Sequence, residues 1–154
     1  MLKILKNNEP ILHKKAIPVL EVTTELKKFA AEMFATMHLN KGIGLAAPQV
    51  GRSICFITFD VVNYTMNAMD SGYFFNPEII THGEGEIVDK EGCLSYPGEY
   101  YEVPRYKTIT VKYLDLSNNE VVRSYSGLAA RVIAHEIDHL LGITMHDRKV
   151  NNER

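Results

Sequence analysis

Two histidines stand four residues apart in the segment His135-Glu136-Ile137-Asp138-His139. On a helix both imidazoles lie on one face, one turn apart, so each can give a nitrogen to the same metal ion. Glu136 directly follows the first histidine, where its carboxylate can reach a water activated by the metal instead of the metal itself. This arrangement predicts a metal-dependent hydrolase with Glu136 as its general base. Asp138 is a candidate for orienting a ligand histidine, with a surface role as the alternative.

A catalytic site of this kind usually has three protein ligands and one open position, so a third ligand is needed. Cys93, in the segment Glu91-Gly92-Cys93-Leu94-Ser95, is the strongest candidate, because its thiolate would complete a Cys/His/His set. Two weaker alternatives are a downstream carboxylate, Glu153, and His146, which lies one residue beyond the third histidine position of the metzincin pattern. The other cysteine, Cys55, stands in an apolar run and is expected to be a small buried hydrophobe.

A run of small residues, 42–49, reads Gly-Ile-Gly-Leu-Ala-Ala-Pro-Gln and follows the first predicted helix. It is not a phosphate-binding loop, because the terminal Lys-Ser/Thr pair and a third correctly spaced glycine are absent. Small residues suit a backbone that approaches a substrate closely, and the side-chain amide of Gln49 could donate to a developing oxyanion.

Hydrophobic periodicity predicts two helices that must position these residues. The first spans about 24–38, with Thr23 or Thr24 as its N-cap. The second spans about 127–141, carries the two histidines, and ends at Gly142.

The middle of the chain predicts strands, and the Asn118-Asn119 pair predicts a hairpin turn. The predicted strands are 54–59, 73–80 (interrupted by Pro77), 86–89, 107–113 and 121–125. The expected fold class is α+β, with mostly antiparallel strands packed around a late metal-binding helix and an early helix alongside. Residues 1–154 are expected to form a single catalytic domain, because no repeat or linker interrupts them.

The composition is that of an ordinary globular protein, with 45% apolar and 23% charged residues. A net charge of -2 gives no reason to expect direct binding to nucleic acid or to an anionic membrane. No apolar run is long enough for a transmembrane helix, and the first residues lack a secretory signal, so a cytoplasmic location is expected. An organelle is the alternative if a transit peptide has been removed.

The three segments together resemble the peptide deformylase family. The motifs of the family read Gly-apolar-Gly-apolar-Ala-Ala-x-Gln, Glu-Gly-Cys-apolar-Ser and His-Glu-x-x-His, and here they stand in the same order at 42–49, 91–95 and 135–139. Two departures are visible. Ala134 stands where many members carry Gln, and Tyr100 stands where one subgroup carries Arg. Neither is a ligand position.

The resemblance implies an enzyme that removes the N-formyl group from the N-terminal methionine of newly synthesised polypeptides and releases formate. It implies Cys93, His135 and His139 as ligands of one divalent metal ion, typically Fe²⁺, with Zn²⁺, Ni²⁺ or Co²⁺ also able to occupy the site. Glu136 matches the general base and acid. The implied partners are N-formylmethionyl nascent peptides, with transient contact to the ribosome.

The resemblance also assigns groups to the substrate. Gln49 and the backbone N–H of Leu94 match the groups that stabilise the oxyanion, and the backbone around Ile43-Gly44 matches the segment that pairs with the substrate peptide like an added strand. A formyl group is tiny, so selectivity must come from an apolar pocket for the methionine side chain. The candidate lining residues of this pocket are Ile43, Leu128 and Val132.

Overall fold

Residues 1–151 of the computed structural model contain seven strands arranged in two antiparallel sheets. The strands are β1 (Gly44–Ala46), β2 (Phe56–Asp60), β3 (Ser71–His82), β4 (Glu86–Cys93), β5 (Tyr96–Tyr106), β6 (Thr108–Leu114) and β7 (Glu120–Ser126). The helices are α1 (Thr24–Leu39), α2 (Val62–Thr65), α3 (Gly127–Leu140) and α4 (Met145–Arg148). The five-stranded sheet has the order β1-β2-β3-β6-β7, and β4 pairs with β5. The predicted α+β class is confirmed. Glu153 lies outside the described residues.

Helix α1 begins where the sequence predicts, because the Thr23 hydroxyl accepts the backbone N–H of Leu26 at 3.2 Å. Its apolar stripe packs against β1 and β2, and Phe29, Met33 and Met37 are buried there. The stripe is therefore core packing, and it sets the position of the small-residue segment that follows the helix.

Helix α3 crosses the five-stranded sheet and is buried along most of its length. Its apolar face joins the main core, which includes Ala129, Ala130, Ile133, Ile137, Phe59, Phe74 and Tyr125. The helix ends before Gly142, which has φ +75° and lies so close to His13 that a Cβ would be 2.8 Å from the carbonyl of that residue. The predicted stop at Gly142 is confirmed, and the histidine motif is fixed in a rigid element. Within residues 1–151, no helix has the length and apolar character that crossing a membrane requires.

Strand β5 was not predicted, and β4 is four residues longer than expected. Both differences come from a hairpin in which Cys93 pairs with Tyr96 across a turn. Pro97 and Pro104 lie within β5 and obscure it in the sequence, because proline cannot donate to a ladder. They are tolerated because β5 has one partner strand, β4, in the described sheet.

Two asparagines fasten the segment before α1 to the sheet. The Asn76 side chain accepts the N–H of Val19 and donates to its carbonyl, both at 2.8 Å. Asn118 makes the same pair of hydrogen bonds with Val22, at 2.6 and 2.9 Å. Both asparagines have positive φ, +50° and +61°. Asn76 precedes Pro77, and there the register of β3 shifts without ending the strand, so the predicted interruption is a bulge.

We expect Asn118→Ala to lower the free energy of unfolding by about 2–3 kcal/mol, because two hydrogen bonds are lost and alanine disfavours positive φ. Asn118→Gly should cost about 1 kcal/mol less, since glycine tolerates that backbone conformation. Urea denaturation measures both. Asn63→Ala, at an exposed position of α2, is the control and should change stability by less than about 0.5 kcal/mol. Equal stability of Asn118→Ala and the control would contradict the fastening role.

Candidate metal centre

Helix α3 and the β4–β5 turn bring three metal-ligating side chains together. One ligating atom each from Cys93, His135 and His139 lies within 4.8 Å of the other two. The Cys93 Sγ and His139 Nε2 atoms are 3.4 Å apart, and both histidines are buried. Three atoms this close can share one ion at bond lengths of about 2.0–2.3 Å. The structure thus brings together the three ligands proposed from the sequence.

The chemistry of the donor set fits a divalent cation. The Nδ1 atom of His135 is 2.9 Å from Oε1 of Glu91, which leaves its Nε2 atom for the ion. Burial lowers the pKa of His139 well below its usual value, and the nearby His135 lowers it further. A neutral imidazole is the form that binds metals, so this environment keeps His139 ready to act as a ligand.

Glu91 is the buried centre of a charge network that no local sequence pattern indicates. Its carboxylate accepts from Arg105 Nε at 2.9 Å, Arg105 Nη2 at 3.0 Å and Arg131 Nη1 at 2.7 Å, in addition to His135. Burial alone would raise its pKa, but the hydrogen bonds from His135 and Arg105 outweigh burial and hold the pKa at about 2. The carboxylate is therefore charged and fixes the orientation of His135.

The alternative of a surface role for Asp138 is wrong, and among the described residues its partners are arginines, so it contacts no ligand histidine directly. Asp138 is buried, and its carboxylate accepts from Arg105 at 2.6 Å and from Arg148 at 3.1 Å. Because Arg105 also binds Glu91, Asp138 joins the same network from the other side. The sequence gives no signal for this pairing, since the arginines come from β5 and α4.

Glu136 lies beside the three ligands with only 4% of its surface exposed. One of its oxygens, Oε1, is 3.8 Å from Nε2 of His135, and the other has no hydrogen-bond partner among residues 1–151. Burial raises the pKa of Glu136 to about 7. The backbone of Gly44 passes so close that a Cβ there would be 2.8 Å from Glu136 Oε1 and from Val132 Cγ1.

The side-chain amide of Gln49 is held in one orientation. Its oxygen accepts the backbone N–H of Ala46 at 2.9 Å, and its nitrogen donates to Ser95 Oγ at 3.1 Å and lies 3.5 Å from Cys93 Sγ. The donor side of the amide therefore faces the candidate ligands. Leu94 follows Cys93 directly in the turn, so its backbone is next to them as well.

A cavity of about 610 Å³ opens onto this cluster. Its walls are the small-residue segment on one side and the β4–β5 turn on the other, and it reaches Cys93, His135 and Glu136. The predicted substrate-contacting residues that line it are Ile43, Gly44, Leu94, Leu128 and Val132. Gln49 and His139 are not among the residues that line it.

His146, the alternative third ligand, lies outside the cluster of Cys93, His135 and His139. His146 forms a 2.9 Å contact with Glu99 and packs edge-on against the ring of Tyr96, so it does not join the three ligands. Cys55 packs against the main core as expected of an apolar residue, but it is half-buried instead of fully buried.

The profile of a known protein family, described as polypeptide deformylase, matches residues 1–154. The chain belongs to the peptide deformylase family. A peptide deformylase from Dictyoglomus turgidum is 42% identical over 97% of this chain and 94% of its own length, and one from Thermomicrobium roseum is 43% identical over 94% and 84%. The crystal structure of peptide deformylase from Thermotoga maritima superposes with a TM-score of 0.91 at 40% identity, covering 98% of this chain and 99% of that one.

We expect Cys93→Ser to lose most of the metal that the protein retains after dialysis, since the thiolate is the charged member of the predicted ligand set of this peptide deformylase. Elemental analysis of protein refilled with Ni²⁺ measures the stoichiometry. His146→Ala is the matched control and should retain about one ion per chain. Loss of the ion from His146→Ala but not from Cys93→Ser would overturn the ligand assignment.

We expect Glu91→Gln to weaken metal binding by about 10- to 100-fold, because His135 and the buried Arg131 lose their charged partner and Arg105 keeps only Asp138. Competition with a chelator gives the affinity. Glu78→Gln removes a glutamate that reaches Lys112 at 3.9 Å on the exposed face of the sheet, and it should leave metal affinity unchanged. Equal affinity of the two variants would show that Glu91 does not orient the ligand.

Proposed function

We propose that this protein removes the N-formyl group from the N-terminal methionine of newly made polypeptides and releases formate, using the residues described above. Membership of the peptide deformylase family supports the reaction. One structural observation carries the assignment of residues: the buried carboxylate of Glu136 lies beside three converging ligands at the inner end of an open cavity. Three ligands leave a coordination position free, as hydrolysis requires.

We propose Cys93, His135 and His139 as the ligands of the ion, and Fe²⁺ as the ion in the cell. Their convergence supports the first assignment, and the family resemblance supports the second. A bound divalent cation supplies Lewis acidity, which polarises the formyl carbonyl and lets a water lose its proton near neutral pH. A thiolate with two imidazoles also suits Zn²⁺, Ni²⁺ and Co²⁺. Metal analysis of protein purified anaerobically from its own cells tests the choice of Fe²⁺.

Glu136 acts as the proton carrier in this proposal. It takes the proton from the attacking water and then gives it to the departing amine, so a single carboxylate serves as base and as acid. Its oxygen without a hydrogen-bond partner in the described part of the chain is free to receive a proton. Its buried position beside the ligands supports this role.

Gln49 and the backbone N–H of Leu94 stabilise the negative charge that develops on the formyl oxygen. The fixed orientation of the Gln49 amide, with its nitrogen toward Cys93, supports the first part of this assignment. Donors that are already oriented need no rearrangement during the reaction, which is the source of their catalytic effect.

The methionine side chain occupies the apolar part of the cavity, bordered by Ile43, Leu128 and Val132, in this proposal. The peptide backbone pairs with the segment around Gly44, which adds it to the edge of β1 like a further strand. The short distance between Gly44 and Glu136 supports this placement, because it brings the edge of the sheet up to the proton carrier.

The cellular setting rests on the family resemblance. We place the protein in the cytoplasm, where nascent N-formylmethionyl peptides are its partners, and we expect transient contact with the ribosome. Residues 1–154 form a single catalytic domain in this proposal, which the match of the family profile to the whole range supports.

We expect Glu136→Gln to reduce formate release from a formyl-Met peptide by at least about 100-fold while about one metal ion per chain stays bound, because the amide cannot carry the proton. Formate release by Ni²⁺-loaded protein and metal content are measured on the same samples. Glu32→Gln, on the exposed face of α1, is the control and should retain full turnover. Near-normal turnover of Glu136→Gln would refute its role as base.

A further inference from the structure

The mouth of the cavity carries positive charge without carboxylate partners. Lys6 and Lys41 both line the cavity and are exposed. Neither forms an ion pair with a carboxylate anywhere in residues 1–151. A cavity lined by unpaired charges of one sign attracts the opposite charge more strongly than an open surface does.

The backbone holds Lys6 at the mouth. The N–H of Leu5 donates to the carbonyl of Gln49 at 2.7 Å, and the N–H of Asn7 donates to the carbonyl of Ser95 at 2.8 Å. The residues on both sides of Lys6 are thus tied to the small-residue segment at Gln49 and to the β4–β5 turn at Ser95. The lysine therefore stays at the mouth even though its side chain is free.

Lys41 comes from a different segment, at the end of α1. Its backbone N–H donates to the carbonyl of His38 at 3.0 Å, and its φ is +59°, so the chain turns there toward the wall at Gly42–Gly44. A lysine after the last turn also interacts favourably with the helix dipole. Its ammonium group forms no ion pair with a carboxylate among residues 1–151.

Three other charged groups that line the mouth of the cavity or its wall each have a polar or oppositely charged neighbour. Glu99 accepts hydrogen bonds from Tyr101 at 2.8 Å and lies 2.9 Å from His146. Arg131 is bound to the buried Glu91. Lys90 lines the cavity too and forms no ion pair within residues 1–151 either, but Glu102 is its cross-strand neighbour in the β4–β5 register. Among the lining lysines, Lys6 and Lys41 are therefore the two that lie outside the hairpin and have no carboxylate as a cross-strand neighbour.

We propose that this mouth selects N-formylated peptides that carry acidic side chains at the second and third residues. The inference rests on the proposed function, in which the first residue fills the apolar inner part of the cavity. An extended chain advances about 3.3 Å per residue, so the next residues leave through the mouth. Carboxylates at those positions meet the two ammonium groups, whereas lysines there would be repelled.

The test compares kcat/KM of Ni²⁺-loaded protein for formyl-Met-Asp-Asp-amide, formyl-Met-Asn-Asn-amide and formyl-Met-Lys-Lys-amide. At low ionic strength the Asp peptide should exceed the isosteric Asn peptide by about 3- to 10-fold, the effect of one or two exposed ion pairs. The Lys peptide should be the slowest. The advantage of the Asp peptide should shrink as salt is added.

The variant Lys6→Gln/Lys41→Gln should bring the Asp-to-Asn ratio close to 1. The control Lys14→Gln/Lys28→Gln removes the same charge from exposed lysines that do not line the cavity, and it should preserve the wild-type ratio. Equal kcat/KM for the Asp and Asn peptides in the wild type would overturn the proposal. So would a control variant that lowers the ratio as much as the mouth variant, because net charge alone would then explain it.

A binding measurement separates this proposal from the proposed function. Isothermal titration gives the Kd of acetyl-Met-Asp-Asp-amide and acetyl-Met-Asn-Asn-amide, which carry no formyl group to remove. If no formyl peptide is turned over, the proposed function fails, and a Kd ratio that favours the Asp peptide and depends on Lys6 and Lys41 still supports the selective mouth. If formyl peptides are turned over without preference and the two Kd values are equal, only the selectivity is refuted.

Discussion

A buried carboxylate, Glu91, is the interaction on which the arrangement of the site depends. A charge with so little solvent contact is costly unless its hydrogen bonds are complete, and here two arginines and one histidine complete them. These partners come from β5 and α3, while Glu91 itself is in β4. The hydrogen bonds of Glu91 therefore join the β4–β5 hairpin to α3, and separating the two elements would leave a buried charge unpaired. Cys93, two residues after Glu91, is held opposite the histidines by the same constraint.

The two buried glutamates of the site illustrate how surroundings assign different roles to one side-chain type. Glu91 receives several charged donors, and its pKa is held at about 2. Glu136 is also buried, but within the described chain one of its oxygens lacks any donor, and its pKa is raised to about 7. Hydrogen bonding to the charged form favours that form, and burial without it disfavours it. One carboxylate is thus a permanent structural anion, and the other is suited to exchanging protons.

Local patterns in the sequence predicted much of this structure. Both long helices, the Asn118 hairpin and the meeting of Cys93 with the two histidines follow from periodicity, turn chemistry and the family resemblance. Strand β5 was missed because its prolines oppose the usual strand signal, and only its position beside a single partner makes them acceptable. The arginine partners of Glu91 and Asp138 were missed for another reason. The arginines are separated from these acids by 10 to 40 residues, and no local sequence pattern predicts ion pairs over such separations.

The hydrogen bonds that tie Leu5 to Gln49 and Asn7 to Ser95 have a consequence for how the protein matures. The site uses segments from Leu5 to His139, so no nascent chain shorter than 139 residues contains it. Residues 1–126 contain all seven strands and the cysteine turn, but two of the three ligands arrive with α3, the last long helix. The metal can consequently be held by all three ligands only after α3 has been made, and a newly made copy contributes no activity before that point.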